Sequence, residues 1–205
     1  MEIIRFADIH PEPWRNGGGV TREIASHPKA ASAQDGAWDW RLSIADVSKA
    51  GDFSNFPAME RVLTIIDGDL MLLTVDGTEH PLEKYRPFRF SGEAPSSATL
   101  PTGDIRDLNI IARADKFKGF ASIVELSKKR PHPVFEGQFA VLLEGKASVV
   151  PGAAAEETPD DGAEPAAVVE EPVDLSRYDT VVGSDVRSPE ISGRGFVAVI
   201  SIDHV

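Results

Sequence analysis

The stretch VLTIIDGDLMLLTVDG, residues 62–77, decides the fold class of this chain. Two runs rich in β-branched and aliphatic residues, 62–66 and 70–75, flank the turn sequence Asp67-Gly68-Asp69, and Asp76-Gly77 follows at once. Gly and Asp tolerate the backbone angles of tight turns, so this pattern predicts consecutive β-hairpins. The stretch is therefore predicted to form two strands, with a third strand following.

Apolar runs of the same kind continue along the chain, and Pro and Gly interrupt the sequence too often for long helices. Many short strands separated by regular turns are typical of a β-sandwich or β-barrel. The sequence therefore predicts an all-β fold. The further strands are expected at 105–112, 120–126, 138–150, 179–183 and 196–202.

A weak internal repeat accompanies these strands. The segment 62–75 resembles FAVLLEGKASVV at 139–150, and LEKYRPF at 82–88 resembles LSRYDTV at 175–181. Within each copy, an apolar run, an acidic residue, a Gly and a second apolar run follow in the same order. Two similar β-units in one chain indicate a duplicated β-barrel.

Composition excludes several classes of protein. The 205 residues include 41% hydrophobic and 26% charged residues, which is near the globular average and excludes disorder of the whole chain. There is no Cys, hence no disulfide, thiolate metal site or Cys nucleophile. The net charge of −12 disfavours nucleic acid as a partner. No apolar run is long enough to span a membrane and no secretory signal is visible, so we expect a cytoplasmic protein.

Much of the negative charge lies in one segment. Residues 151–175 contain eight Asp and Glu, four Pro, and neither Lys, Arg nor an aromatic residue. Low hydrophobicity combined with charge of one sign is typical of a mobile loop, and we expect an acidic insertion here. A protein-interaction surface is the alternative interpretation of this segment.

The sequence WRNGGGVTREI, residues 14–24, places three glycines among polar and aromatic residues. Successive glycines allow the backbone to approach a ligand closely, and their N–H groups can bind an anion. The segment matches neither a P-loop nor a dinucleotide fingerprint. It is either a ligand-binding loop or a flexible turn that leads into a strand.

The sequence WDWRLSIA, residues 38–45, alternates along a predicted strand. Trp38, Trp40, Leu42 and Ile44 share one face, and the opposite face carries Arg41, Ser43 and Ala45. That opposite face lies either in water or along a cavity, where Arg41 would pair with a carboxylate.

Two later segments offer similar choices. Arg61 follows the loop sequence GDFSNFP at 51–57 and either converges with Arg41 on one anion or is ordinary surface charge. Asp107 and Asn109 share a face with large apolar residues. They form either a structural hydrogen-bonded pair or part of a pocket wall. Metal ligation is not indicated, because none of the five His has a spacing typical of metal ligands.

Four segments resemble the HutD/Ves family in content and order: WRNGGGVTREI, WDWRLSIADV, GDFSNFPAMERVLTIIDG and GDIRDLNIIAR. The resemblance covers about residues 3–126 and extends more loosely to 202. It implies a bicupin, with two jelly-roll-like cupin barrels near 1–115 and 116–205 that are able to exchange strands. It also implies a link to bacterial histidine utilisation.

The cupin superfamily often binds a metal through two His and a Glu. The Glu position corresponds to Arg61 here, and the His positions fall near Asn55 and Pro57, so the resemblance implies an anionic ligand without a metal or other cofactor. Ala58 stands where the family more often has Gly.

We therefore expect a regulator that binds a small anionic metabolite such as N-formylglutamate, with no membrane or nucleic-acid partner; a dimer is left open. No catalytic residue is assigned. The alternatives are a metal-independent isomerase or amidohydrolase with Glu23 or Asp107 as general base, and a protein-interaction module. The predicted ligand contacts are Trp14, Asn16, Gly17, Gly18, Thr21, Glu23, Arg41, Ser43, Ser54 and Arg61, with Asp107 and Asn109 on a candidate pocket wall.

Overall fold

The structure is a computed structural model that describes residues 1–29, 38–152 and 171–205. Its described residues are almost entirely strands and turns, with one 3₁₀ helix at Phe6–Asp8. This confirms the predicted all-β class. The strands are β1 Glu2–Ile4, β2 Glu12–Pro13, β3 Gly19–His27, β4 Trp40–Val47, β5 Gly51–Asp52, β6 Met59–Asp67, β7 Leu70–Val75, β8 Thr78–Glu83, β9 Phe88–Ser91, β10 Ser96–Thr99, β11 Ile105–Arg113, β12 Phe117–Glu125, β13 His132–Pro133, β14 Gln138–Val150, β15 Val173–Leu175, β16 Thr180–Val182 and β17 Glu190–His204.

The described strands form three sheets. One has six strands in the order β2-β3-β4-β11-β6-β9, the second has four in the order β5-β10-β7-β8, and the third has seven, built on β1-β16-β14-β17-β12 with β13 and β15 attached. Each sheet is open in its described part and does not close into a barrel by itself. The two-barrel architecture therefore stays a prediction.

Cα-contact clustering separates two compact units. One consists of residues 1–6 and 124–199, and the other of residues 7–123 and 200–205. Each unit therefore takes a short terminal segment from the far end of the chain. Each has its own apolar cluster, built around residues such as Leu142 and Val197 in the first and Leu63 and Leu73 in the second.

The six-stranded and four-stranded sheets of the second unit pack face to face. Their common core takes Ala45, Leu63 and Ile65 from the six-stranded sheet and Met71 and Leu73 from the four-stranded sheet. Alternation along the strands explains this, because every second residue of β6 and β7 points to the same face. The functional site described below lies on the inner face of the six-stranded sheet.

The internal repeat has matching backbone features. Gly68 and Gly145 both have positive φ, and so do Tyr85 and Tyr178, at 67° and 71°. The N–H of Tyr85 donates to the carbonyl of Ile65 at 2.8 Å, and the N–H of Tyr178 donates to that of Leu142 at 2.6 Å. In each copy the acceptor lies three residues before the turn Gly, so the sequence similarity corresponds to the same local conformation.

The predicted acidic loop at 151–175 falls mostly outside the described residues, which exclude 153–170. Its last residues are described, and there the loop prediction is wrong. Val173–Leu175 form strand β15, paired with β14. Leu175 is buried and Val173 packs against the same apolar cluster, which explains why these residues are ordered into the sheet.

Among the described residues, no helix has the length and apolar character needed to cross a membrane.

Candidate functional site

Sheet register places two arginines in one cross-strand row. Arg41 of β4 pairs with Ile111 of β11, and Ile111 pairs with Arg61 of β6. Directly opposed residues point to the same face, and neighbouring strands are about 4.8 Å apart, so the two Arg Cα atoms are about 10 Å apart on one face. In the adjacent row, Asn109 lies opposite Ser43.

These residues line a cavity of about 470 Å³. Its wall combines the β4 and β11 face with the segment that precedes β3 and the loop between β5 and β6. Cavities of this size accommodate small organic ligands. The lining residues are Glu12, Pro13, Trp14, Arg15, Asn16, Thr21, Arg41, Ser43, Ala45, Asp52, Phe53, Ser54, Phe56, Arg61, Asn109 and Ile111.

Arg61 is the most unusual member of this wall. Its side chain is almost completely buried, with 3% of its surface exposed. Nη2 donates to Oδ1 of Asn109 at 3.0 Å, while Nε and Nη1 are buried without an acceptor among the described protein atoms. Buried donors without acceptors are costly and rare in proteins. The exception at Arg61 is therefore a reason to look for a ligand at this position.

Aromatic rings surround the Arg61 guanidinium. Its Cζ lies 5.0 Å from the ring centroids of Phe53 and Phe90, and 5.6 Å from that of Phe56. Ring faces attract a cation but accept no strong hydrogen bond. Burial lowers the pKa of Arg61 to about 10, the charge of Arg41 lowers it too, and Asp107 opposes the shift. Arg61 is therefore a cation at neutral pH.

Arg41 lies beside it under a similar cover. Its Cζ is 4.9 Å from the ring centroid of Trp38 and 5.9 Å from that of Phe56. Burial lowers the pKa of Arg41, and the carboxylates of Glu23 and Glu12 oppose that shift. Two guanidinium groups thus share one partly aromatic cavity, an arrangement that favours an anion with one or two carboxylates.

Asn109 of the cavity wall connects Arg61 to a buried acid on the same face of β11. The amide Nδ2 of Asn109 donates a hydrogen bond to Oδ1 of Asp107. Asp107 is completely buried, and its Oδ2 has no hydrogen-bond partner among the described residues. Burial raises the pKa of Asp107 to about 7, although Arg61 and the hydrogen bond from Asn109 both act to lower it.

The glycine-rich loop is held together by its own hydrogen bonds. The N–H of Gly17 donates to the carbonyl of Trp14 at 3.0 Å, and the N–H of Gly18 donates to Oδ1 of Asn16 at 3.0 Å. Nε1 of Trp14 donates to Oγ1 of Thr21 at 2.7 Å. The loop therefore presents the Trp14 ring and the Asn16 side chain to the cavity, and uses these glycine N–H groups internally.

Of the twelve predicted residues, ten ligand contacts and two pocket-wall residues, the structure places eight around the cavity and four elsewhere. Those that line the cavity are Trp14, Asn16, Thr21, Arg41, Ser43, Ser54, Arg61 and Asn109. Gly17 and Gly18 turn the loop without lining this cavity, and Glu23 accepts a hydrogen bond from Ser26 Oγ at 2.7 Å. Asp107 lies one row beyond Asn109 on the same sheet face and does not line the cavity.

The structure also decides between the two interpretations of the β4 strand. Ser43 and Ala45 are 2% and 3% exposed and line the cavity, so their face does not lie in bulk water. Leu42 and Ile44, on the other face, are buried as well.

Several lining residues were not predicted as ligand contacts. The aromatic pair in the sequence GDFSNFP was a usable signal, because two Phe residues in a polar loop are expected to pack against something. Residues 12 and 13 gave no signal, since β2 is only two residues long and its pairing with β3 is long-range. The missed residues are Glu12, Pro13, Arg15, Asp52, Phe53, Phe56 and Ile111, and Ala45 was predicted only as part of the β4 face.

Within the described ranges, no group of three or more His, Asp or Glu residues is arranged to hold a metal ion. Cys is absent from the whole sequence.

Fold and site together define an all-β protein with a cavity whose wall contains two arginines. The fold is similar to that of a cupin 2 conserved barrel domain protein from Leptotrichia buccalis, with a TM-score of 0.58 at 9% identity over 100% of this chain and 96% of that chain. The sequence profile of the HutD family matches residues 6–198. This chain belongs to the HutD family.

Two curated relatives and one solved structure agree with this assignment. An uncharacterized 21.2 kDa protein in the hutC 3′ region of Pseudomonas putida is 40% identical over 58% of this chain and 61% of its own length. Protein Ves from Citrobacter koseri is 39% identical over 60% of this chain and 64% of its own length. The matched region thus covers somewhat less than two thirds of the length of each of these curated relatives. HutD from Pseudomonas fluorescens SBW25, in a formate condition, is 28% identical with a TM-score of 0.72, over 100% of this chain and 98% of that chain.

Proposed function

We propose that this protein binds a small carboxylate in the cavity between Arg41 and Arg61 and serves as a regulator of histidine utilisation. The observation that carries the binding proposal is Arg61, a buried cation with two donors lacking acceptors at a cavity wall. A ligand carboxylate would accept those hydrogen bonds and neutralise the charge. The regulatory part rests on membership of the HutD family.

The spacing of the cations favours a ligand with two carboxylates. Guanidinium groups on Cα atoms about 10 Å apart can each bind one end of a five-carbon dicarboxylate. The polar groups of Ser43 and Asn109 lie in the neighbouring row and suit an amide or formyl oxygen. N-formylglutamate combines these features and is our first candidate ligand.

The phenyl rings around Arg61 also support the binding proposal. Phe53 and Phe56 exclude water from the guanidinium without hydrogen bonding to it. An ion pair formed in such a surrounding is stronger than one in bulk water. We therefore expect the site to bind a carboxylate even with few contacts.

We also propose that the chain is a bicupin with units near 1–115 and 116–205 that exchange their terminal strands. The repeated turn geometry at Gly68 and Gly145 supports a duplicated unit. The assignment of residues 1–6 and 200–205 to units elsewhere in the chain supports the exchange.

Thermal unfolding with a ligand panel tests the binding proposal. The panel contains N-formylglutamate, formiminoglutamate, glutamate, urocanate and histidine, each at 1–10 mM and pH 6. A ligand at 100 times its Kd adds about 2.7 kcal/mol to the free energy of unfolding. That corresponds to a rise in Tm of roughly 5–10 °C for a domain of this size.

The comparison variants are Arg61→Met and Arg86→Met. Arg86 has 79% of its side chain exposed and pairs with Glu83, so it reports on general loss of positive charge. The proposal expects the ligand-induced shift to disappear in the first variant and to persist in the second. A shift retained in Arg61→Met, or none with any carboxylate, would overturn the proposal.

A further inference from the structure

A buried acid lies next to the proposed ligand site, one row further along the same sheet face. Asp107 lies in the sheet between Ala45 of β4 and Ile65 of β6, and both of these partners belong to the apolar core. The amide of Asn109 accepts a hydrogen bond from Arg61 Nη2 at 3.0 Å and donates one to the Asp107 carboxyl. The carboxyl is therefore connected to the cavity cation through a single side chain.

Few charges act on Asp107. From β6, Arg61 favours its ionised form; from β4, Asp46 disfavours it. Asp46 is itself bound by Arg22, at 2.7 Å, and by Arg106, at 2.5 Å. The four-stranded sheet that packs over this face contributes Met71, Leu73, Leu82 and Ala98 to the apolar cluster. Its titratable neighbour is His80, which lies opposite Leu73 and contacts the Phe88 ring at 4.7 Å between ring centroids. Arg61 is thus the charge on which the Asp107 carboxylate chiefly depends.

We propose that binding of a carboxylate at Arg61 is coupled to uptake of a proton by Asp107, with Asn109 as the connecting residue. This inference rests on the proposed function. A bound carboxylate neutralises Arg61 and removes the main stabilisation of the Asp107 anion, so that two negative groups would otherwise share one buried cation. Protonation of Asp107 restores the charge balance: the ligand brings one negative charge and solvent supplies one proton.

The direction of the pH effect follows from linkage. In the free protein the pKa of Asp107 is about 7, and loss of its cationic partner raises that pKa further. Above that pH most Asp107 is ionised in the free protein, so a ligand that prefers protonated Asp107 binds only with uptake of a proton. The apparent Kd of the ligand therefore increases with pH. From pH 6 to pH 8 we expect affinity to fall about tenfold, with about 0.9 proton taken up per ligand bound at pH 8 and about 0.1 at pH 6.

Isothermal titration calorimetry at pH 6, 7 and 8 tests this coupling, with N-formyl-L-glutamate as the first probe and sodium formate up to 0.5 M as the second. Each titration is repeated in two buffers with different ionisation enthalpies, which counts the protons taken up by the wild-type protein directly. The expected result is a tenfold weaker Kd at pH 8 and proton uptake that increases with pH.

Asp107→Asn supplies the matched variant, because Asn is nearly isosteric with a neutral carboxylic acid. Its Kd is expected to be the same at pH 6 and pH 8 and close to the wild-type value at pH 6. Asp69→Asn removes the same charge at an exposed turn that lines neither of the described cavities, and it should keep the wild-type pH profile.

The outcomes separate the two proposals. Binding of either probe with the same Kd at pH 6 and pH 8 and no proton uptake would overturn the coupling and leave the proposed function intact. Failure of both probes to bind at pH 6 would overturn both. A pH profile that survives in Asp107→Asn would assign the proton to another group and would also overturn the inference. If that variant does not fold, the wild-type proton count alone decides.

Discussion

Replacing Arg61 by Met should separate stability from binding. Burial lowers the pKa of Arg61 to about 10, which corresponds to a net free-energy cost of about 3 kcal/mol for the cation in the folded chain. Met is close to Arg in length, carries no charge and packs well against Phe rings. Replacement of a buried ion by a well-packed apolar residue is often stabilising by about 1–4 kcal/mol. We therefore expect Arg61→Met to be more stable than the wild type by about 1–3 kcal/mol.

The measurement is urea unfolding at pH 6, followed by circular dichroism. At this pH Asp107 is mostly protonated, so removal of its cationic partner leaves no buried carboxylate behind. Carboxylate binding by the same variant should weaken by roughly 10- to 150-fold, which is the usual cost of a charge-assisted hydrogen bond of 1.5–3 kcal/mol.

A variant that loses more than about 2 kcal/mol of stability would refute this reasoning, because it would show that the Phe-lined cage requires the guanidinium for packing. Arg86→Met serves as the control and should change neither stability nor binding by more than the few tenths of a kcal/mol expected of an exposed ion pair.

Three further predictions follow from single contacts. The folded-state pKa of Asp107 is above its unfolded value, so the native state holds a proton that the unfolded chain has lost, and the contribution of Asp107 to stability falls from pH 4 to 7. The stability of Asp107→Asn relative to wild type should therefore increase by about 2–3 kcal/mol from pH 5 to pH 8 in urea unfolding, and an unchanged difference would contradict the assignment. Thr21→Val removes the acceptor of Trp14 Nε1 and should cost about 1 kcal/mol and weaken ligand binding, whereas equal stability and affinity would show that the bond is dispensable. Ala58 has a φ of 60°, so Ala58→Gly should raise stability by about 0.5–1 kcal/mol in thermal unfolding, and a lower Tm would count against strain at this turn.

The sequence predicted best those features that depend on alternation. The β4 face with Arg41, Ser43 and Ala45 lines the cavity because side chains alternate strictly along a strand. The turns at Gly68 and Gly145 were recognisable because only a few residue types tolerate positive φ.

Long-range pairing accounts for what the sequence did not predict. The Arg61 cage of Phe53, Phe56 and Phe90 draws on a loop and on strand β9, and nothing in the local sequence fixes their convergence. The position of Glu12 in the wall depends on a two-residue strand pair with Thr21.

Hydrogen bonds within the glycine-rich loop explain why the ligand contacts predicted for its backbone are absent from the cavity wall. Its sequence predicted backbone contacts to an anion, but the N–H groups of Gly17 and Gly18 already have acceptors within the loop. Asp107 was correctly placed on the face of Asn109, and only the sheet packing showed that it is fully buried in the apolar core, one row beyond Asn109, and does not line the cavity.

The most direct test of the account is calorimetric titration of N-formyl-L-glutamate into the wild-type protein and into Arg61→Met at pH 6. The account predicts a saturable, single-site isotherm for the wild type and a Kd at least tenfold weaker for the variant. Equal affinities in the two proteins, or no heat of binding in the wild type, would contradict the claim that the cavity between Arg41 and Arg61 is a carboxylate site.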